Sequence, residues 1–263
     1  MQEAAAAFRQ LVADATTEPP LDEGALLIAA VGSGADVDAG LVRLDDLAAD
    51  AHRAAHTPTE LVDFLFHQRG FAGNTLDYHD PRNSFLPDVL ERRLGIPISL
   101  SVVLIEIGRR IGIPLHGVGM PGHFLVGVDG DPDAFFDPFH AGAALDAAGC
   151  RARFAELQGP AAPFRPEYLG PTGSRLILLR MLANLREIYV ARRSPAAQWV
   201  VEAQLAFPEL TAGERGAAGD VLASVGAFTA AATVFDELAG AAPDADAAAA
   251  WTQRAVGHRS RAN

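Results

Sequence analysis

Gly122-His123-Phe124-Leu125-Val126 and, after a polar turn, Phe135-Phe136-Asp137-Pro138-Phe139 place an imidazole and a carboxylate on what read as neighbouring strands. A histidine oriented by an aspartate is the general-base half of a Cys-His-Asp catalytic site. The nucleophile is missing. A thiol gains most from the first turn of a helix, where the positive helix end lowers its pKa. Gly95-Ile96-Pro97-Ile98-Ser99-Leu100-Ser101 opens such a helix with proline and serines in place of cysteine. The single cysteine, Cys150, lies beyond both the histidine and the aspartate in a connecting segment, where a small packed thiol is the ordinary reading.

Ser99 and Ser101 are the hydroxyls best placed to replace the thiol, with His123 as base and Asp137 orienting it. Helix-end electrostatics cannot ionise a serine as they can a thiol, and serine at a helix start is equally a cap or a small packing residue. His123 is either this base or a structural histidine holding a hairpin through Asp137. Asn74, Tyr78, Asn83 and Pro97, with Asp77 and His79 nearby, are candidate groove-lining residues beside the helix N-terminus, although polar loops are commonly just solvated. A metal reading recruits His116, His123, Asp137 and His140, but their spacing matches no standard zinc pattern, so the expectation is no metal and no cofactor.

Those groups need a frame, and the sequence supplies one of helices around a few strands. Helices are predicted over 4–15, 22–30, 42–55 and 58–68, the last capped by Thr57 or Thr59. Asn83 or Ser84 can cap a short helix ended by Gly95. The helix from about Ile98 to Ile111 is apolar around much of its circumference and belongs in a core. Strands follow at 115–120, 124–128 and 134–137. If the last two fold about Asp131, residue 125 faces 137 and 123 faces 139. His123 and Asp137 then lie diagonally on one face, roughly 7–8 Å apart, within reach of a side-chain hydrogen bond. A one-residue slip would put them on opposite faces.

Length allows one large or two modest domains, and a composition 49% apolar is ample for a core. The formal charge of −12 argues against attraction to nucleic acid phosphates, and Arg92, Arg93, Arg109 and Arg110 read as solvated helix faces. No apolar run approaches a membrane span. One cysteine excludes an intramolecular disulfide, and the N-terminal residues lack a basic signal region, so a cytoplasmic protein is expected. The Pro- and Gly-rich stretch from Gly159 to Pro171 suggests domains at 1–165 and 166–263. In the second, Ala196, Val200, Glu202 and Pro208 recur 35 positions later as Ala231, Phe235, Glu237 and Pro243, close to a tetratricopeptide period. Two such units bury too little to stand alone, so the tail is expected to dock on the first domain.

Phe71-Ala72-Gly73-Asn74, Asp80-Pro81-Arg82-Asn83-Ser84-Phe85-Leu86, Val89 through Leu100, Gly119-Met120-Pro121-Gly122-His123-Phe124-Leu125 and Phe136-Asp137-Pro138-Phe139 together resemble the SirB-type family of bacterial transglutaminase-like proteins. The resemblance runs from about residue 21 onward and is looser in the tail. It implies an α+β, mostly helical protein: a papain-like core with a small antiparallel sheet, then a tetratricopeptide-like tail. In the wider superfamily the nucleophilic cysteine opens a helix ending in a Gly-Ile-Pro turn. Counting back from Gly112-Ile113-Pro114 places that slot near Pro97, with His123 and Asp137 in the other two roles. The vacant slot points to a non-catalytic, protein-binding or regulatory member with an unknown protein or peptide partner. The alternative is an amide or ester hydrolase using Ser99 or Ser101 with His123 and Asp137.

Overall fold

The computed structural model describes residues 2–262 and shows two compact units. One is Glu18–Met181 with the first few residues of the chain; the other joins Ala5–Thr17 to the segment from Leu182 onward.

The first unit is organised around one helix. In chain order it contains α2 (Leu21–Ser33), α3 (Val37–His52), α4 (Pro58–Val62), α5 (Leu86–Arg92), α6 (Pro97–Ile111) and α7 (Ala147–Gln158), followed by the start of α8 (Ser174–Ala191). Every residue of α6 from Pro97 to Gly108 is buried, as its all-round apolar sequence requires. Helices α2 to α5 pack against it. Thr57 caps α4 in a reciprocal box with Glu60, after which the chain loosens into a π-helical turn, Asp63–Gln68.

A five-stranded antiparallel sheet covers another side of α6. Its strands are β3 (Leu115–Val118), β4 (Leu125–Val128), β5 (Asp131–Asp137), β6 (Ala143–Leu145) and β7 (Pro171–Thr172), in the order β6-β5-β4-β3-β7. Helix α7 and the Phe164–Leu169 segment bring Phe154, Phe164 and Tyr168 against Val118, Leu125 and Phe135 of the sheet, with Cys150 in that cluster. A two-stranded parallel ladder, β1 (Ala72–Gly73) with β2 (Leu94–Gly95), sits immediately before α6.

Local chemistry moved several elements from their expected places. The β4–β5 hairpin turns at Asp129-Gly130, where Gly130 takes φ +83°, instead of about Asp131. Pairing then advances one residue on β4 and four on β5, from Val128↔Asp131 to Gly127↔Phe135. This irregularity restores the register Val126↔Phe136 at the far end, which is the register that brings 125 opposite 137. Helix α5 ends at Arg93, itself left-handed (φ 58°), because Leu94 and Gly95 are drawn into the ladder with β1. Neither Asn83 nor Ser84 caps it; Asn83 ends a short 3₁₀ turn capped by Asp80.

The second unit contains α1 (Gln2–Val12) from Ala5 onward, the end of α8, and α9 (Ala197–Leu205), α10 (Ala212–Ser224), α11 (Phe228–Gly240) and α12 (Ala245–Ala262), with α9 to α12 packing in sequence order. Phe235, Leu238, Leu222, Val201 and Ala255 form its core. Phe8, only 1% exposed, meets Phe207 edge-on at 6.0 Å. The N-terminal helix therefore belongs with the tail, and the Pro- and Gly-rich stretch from Gly159 to Pro171 lies inside the first unit, where it leads into β7.

Candidate functional site

His123 sits in the turn between β3 and β4, and several elements fix that turn. Its own N–H donates to the Met120 carbonyl at 3.0 Å. Arg180, from α8, donates to the Met120 and His123 carbonyls at 2.9 and 2.7 Å and lies over the Phe124 ring. Thr172 of β7 accepts from the Gly119 N–H at 2.9 Å. Asp137 ends β5 and caps the 3₁₀ turn Pro138–His140, accepting the His140 N–H at 3.3 Å.

These supports bring the two side chains together. His123 Nε2 lies 2.9 Å from Asp137 Oδ2, although the ring is not aligned for a straight hydrogen bond and this buried nitrogen has no aligned partner. His140 Nδ1 approaches the same oxygen at 2.8 Å, and Arg153 Nε of α7 stands 3.5 Å from it. Asp137 is fully buried and His123 nearly so, whereas the His140 side chain is 42% exposed. Burial alone would raise the Asp137 pKa, but the His123 and His140 rings outweigh it and hold the carboxyl below its ordinary value. With Nε2 turned to the carboxylate, Nδ1 is the His123 nitrogen left for a nucleophile or substrate.

The position where a nucleophile is needed is filled differently. Pro97 is the first residue of α6 and is buried. Ser99 Oγ donates to the Asn83 carbonyl at 2.6 Å and accepts the Ile96 N–H at 3.0 Å. Ser101 Oγ donates to the Pro97 carbonyl at 2.8 Å. Both serines are wholly buried, and neither hydroxyl is paired with His123. Cys150 lies in the cluster between the sheet and α7, where burial, then Asp146 and Asp137, push its thiol up to about 12.

The loop residues divide in the same way. Asn83 is a buried hub: its side chain accepts from Asn74 Nδ2 at 3.0 Å and donates to the Asp77 and Tyr78 carbonyls at 2.7 and 3.1 Å. Asn74 and Asn83 therefore hold the loop instead of facing solvent. Tyr78 is 42% exposed, and its ring meets Phe139 at 5.8 Å. Phe139 also lies beside His123, at 6.4 Å between ring centroids, and presses on Gly73, where a Cβ would come within 2.5 Å of its ring. That close approach is why residue 73 is glycine.

His116, the fourth residue of the metal reading, is not with the others; it pairs with Asp129 at 2.6 Å. Arg153 and Arg180 are not part of the sequence reading of the site, and Phe139 enters it only within a motif, with no role assigned. Helix α7 carries little amphipathic signal, so nothing flagged Arg153 as facing inward. Arg109 and Arg110 are not simply solvated: together with Asp22 and Glu106 they form an ion cluster, and the Arg110 side chain is 11% exposed.

Residues 35–183 match the family model described as the transglutaminase-like superfamily. A UPF0162 protein of Xylella fastidiosa (strain Temecula1) is 48% identical over 130 residues, 48% of this chain and 46% of that protein. A UPF0162 protein of Pseudomonas aeruginosa is 36% identical over 154 residues, 59% and 54% of the two chains. F-box only protein 21 of Homo sapiens is 45% identical over 62 residues, 24% of this chain and 10% of that one. The chain spans about half the length of the UPF0162 relatives it matches. No solved structure matches.

Proposed function

The chain belongs to the transglutaminase-like superfamily, and from that premise we propose that it is a member without thiol chemistry, a cytoplasmic protein that recognises a polypeptide partner. One observation carries the reading: α6 opens on Pro97, and the two hydroxyls of its first turns already donate to backbone carbonyls. A serine nucleophile must be open to substrate and bonded to its base; both serines are wholly buried and neither hydroxyl is hydrogen-bonded to His123. The remaining thiol is buried and strongly protonated at neutral pH.

Beside the retained His123–Asp137 pair, His140 is 42% exposed, and the half-exposed Tyr78 reaches the site through Phe139, a mixed aromatic and imidazole rim suited to an extended peptide. No helix among the described residues is long and apolar enough to cross a membrane. The tetratricopeptide-like reading of α9 to α12 belongs to the same proposal, as a second surface for a partner. A hydrolase using Ser99 or Ser101 is the alternative, supported by the close His123–Asp137 pair.

Incubating the intact chain with fluorophosphonate and vinyl sulfone probes separates the two. The proposal expects no covalent adduct at Ser99, Ser101 or Cys150. An adduct at either serine that disappears in His123→Gln would establish the hydrolase.

A further inference from the structure

We propose that His123, Asp137 and His140 form a binding site for one first-row divalent cation of the zinc type. This goes beyond the reading above and holds whether or not a polypeptide binds nearby. The donor atoms, one ring nitrogen from each histidine and a carboxylate oxygen, lie within 4.8 Å of one another. Oδ2 of Asp137 is 2.9 Å from His123 Nε2 and 2.8 Å from His140 Nδ1. Around a tetrahedral ion with bonds of about 2.0–2.1 Å, donor atoms stand roughly 3.3 Å apart. A small opening at His140, whose side chain is half in solvent, is the adjustment required.

The buried imidazole supplies the independent argument. His123 Nε2 is shielded from water, and the carboxylate oxygen 2.9 Å away lies off the line of a straight hydrogen bond, an imperfect satisfaction of a buried ring nitrogen that an ion between the two would complete. Two imidazoles and one carboxylate are the donors preferred by Zn²⁺ and its neighbours over Ca²⁺ or Mg²⁺. Three protein ligands leave a coordination position open, in the manner of catalytic and not structural zinc sites. The frame is already rigid: Asp137 caps the turn that carries His140, and Arg180 holds the His123 carbonyl.

Arg153 is the opposing charge. Its Nε is 3.5 Å from Asp137 Oδ2 and is itself buried without a hydrogen-bond partner, while its Nη1 already binds Glu156 at 3.0 Å. A cation entering beside Asp137 meets this guanidinium, so removing the charge should tighten binding. A merely structural His-Asp-His cluster gives no reason for that effect.

The test uses the full chain without an affinity tag, stripped with chelator and titrated with ZnSO₄ by calorimetry, then with CoCl₂ by visible absorption. The expected result is one ion per chain, with Co²⁺ bands of a four- or five-coordinate N/O site. His140→Gln, at a half-exposed position that spares the fold, should weaken binding about tenfold or more. Arg153→Gln should tighten it, and His116→Gln should leave it unchanged. Absence of one-to-one binding, or Zn²⁺ affinity indifferent to His140→Gln in a variant of unchanged circular dichroism, overturns the assignment.

Discussion

Ser99 Oγ donates to the Asn83 carbonyl at 2.6 Å, so the hydroxyl nearest the vacant nucleophile position ties the 74–85 loop to the first turn of α6. The same oxygen accepts the Ile96 N–H, one of the donors a helix start leaves unpaired. Ser99→Ala strands a buried carbonyl and a buried N–H together. We expect a loss of about 1–3 kcal/mol, against about 0.5–1.5 for Ser101→Ala, whose hydroxyl only back-bonds within the helix. Urea unfolding followed by far-ultraviolet circular dichroism measures both. Equal midpoints for wild type and Ser99→Ala would refute the structural role.

The Cys150 thiol is expected to be inert in the folded protein. It is fully buried, and burial together with Asp146 and Asp137 raises its pKa to about 12. At pH 8 almost no thiolate exists to react. Labelling with Ellman's reagent should be slow in buffer, become stoichiometric in urea, and track unfolding across the transition. Rapid stoichiometric labelling of the native chain would place Cys150 back among the candidate nucleophiles.

The parts of this fold legible in the sequence were those set by local pattern. The apolar circumference of the helix after Gly95 marked it as central, and the His123–Asp137 approach followed from strand alternation and a turn signal. The expected turn about Asp131 passes over the Asp129-Gly130 pair, the dipeptide that favours a tight two-residue hairpin because glycine takes the required positive φ, so the extra residues fall on β5. Residues whose role depends on distant partners were not legible. Asn83 reads as a possible groove residue because its partners, among them Asn74, Asp77, Tyr78, Arg92 and Ser99, converge only in three dimensions. Arg110 read as a solvated face for the same reason: Asp22 and Asp45 arrive from α2 and α3.

Asp137 makes the fold sensitive to acid. Its pKa is lowered in the folded chain, since the two histidines outweigh burial. A depressed carboxyl pKa contributes stability that is present above the unfolded value of about 3.9 and is lost as pH falls through the folded value. Stability should therefore decline below about pH 4, and the decline should be shallower in Asp137→Asn, which has no charge to lose. Thermal midpoints at pH 7, 5, 4 and 3 show this. Parallel curves for the two proteins would mean that Asp137 does not govern acid sensitivity.

Arg110 should matter more for stability than surface arginines do. Its guanidinium reaches Asp22 at 2.7 Å, Glu106 at 2.6 Å and Asp45 at 2.8 Å, and the first two carboxylates are buried. Arg110→Ala leaves Glu106, whose pKa burial already raises, with only Arg109 beside it. A loss of about 3–5 kcal/mol is expected, with Glu106→Gln in the same background recovering part of it. Arg43→Ala, at the exposed pair with Glu91, should cost under about 1 kcal/mol and serves as the control. Similar costs for Arg110 and Arg43 would show that the buried cluster carries no special weight.

The second unit takes its first helix from the far end of the chain. Phe8 and Val12 are buried, and Phe8 meets Phe207 edge-on in the loop after α9. Deleting so large a buried side chain removes its apolar contact and leaves a cavity, at about 3–5 kcal/mol. Both tryptophans, Trp199 and Trp251, fall in this unit, and Trp251 stacks on Phe235 at 5.8 Å in its core. Intrinsic fluorescence therefore reports the second unit selectively. Phe8→Ala in the full chain should lower the urea midpoint seen by fluorescence, and deletion of residues 2–17 should lower it further by also removing Val12. A tail beginning at residue 166 would lack both side chains and should be less stable than one fused to residues 2–17 through a flexible linker. If fluorescence-detected unfolding is unchanged by Phe8→Ala, the N-terminal helix does not support the tail and is not part of the second unit.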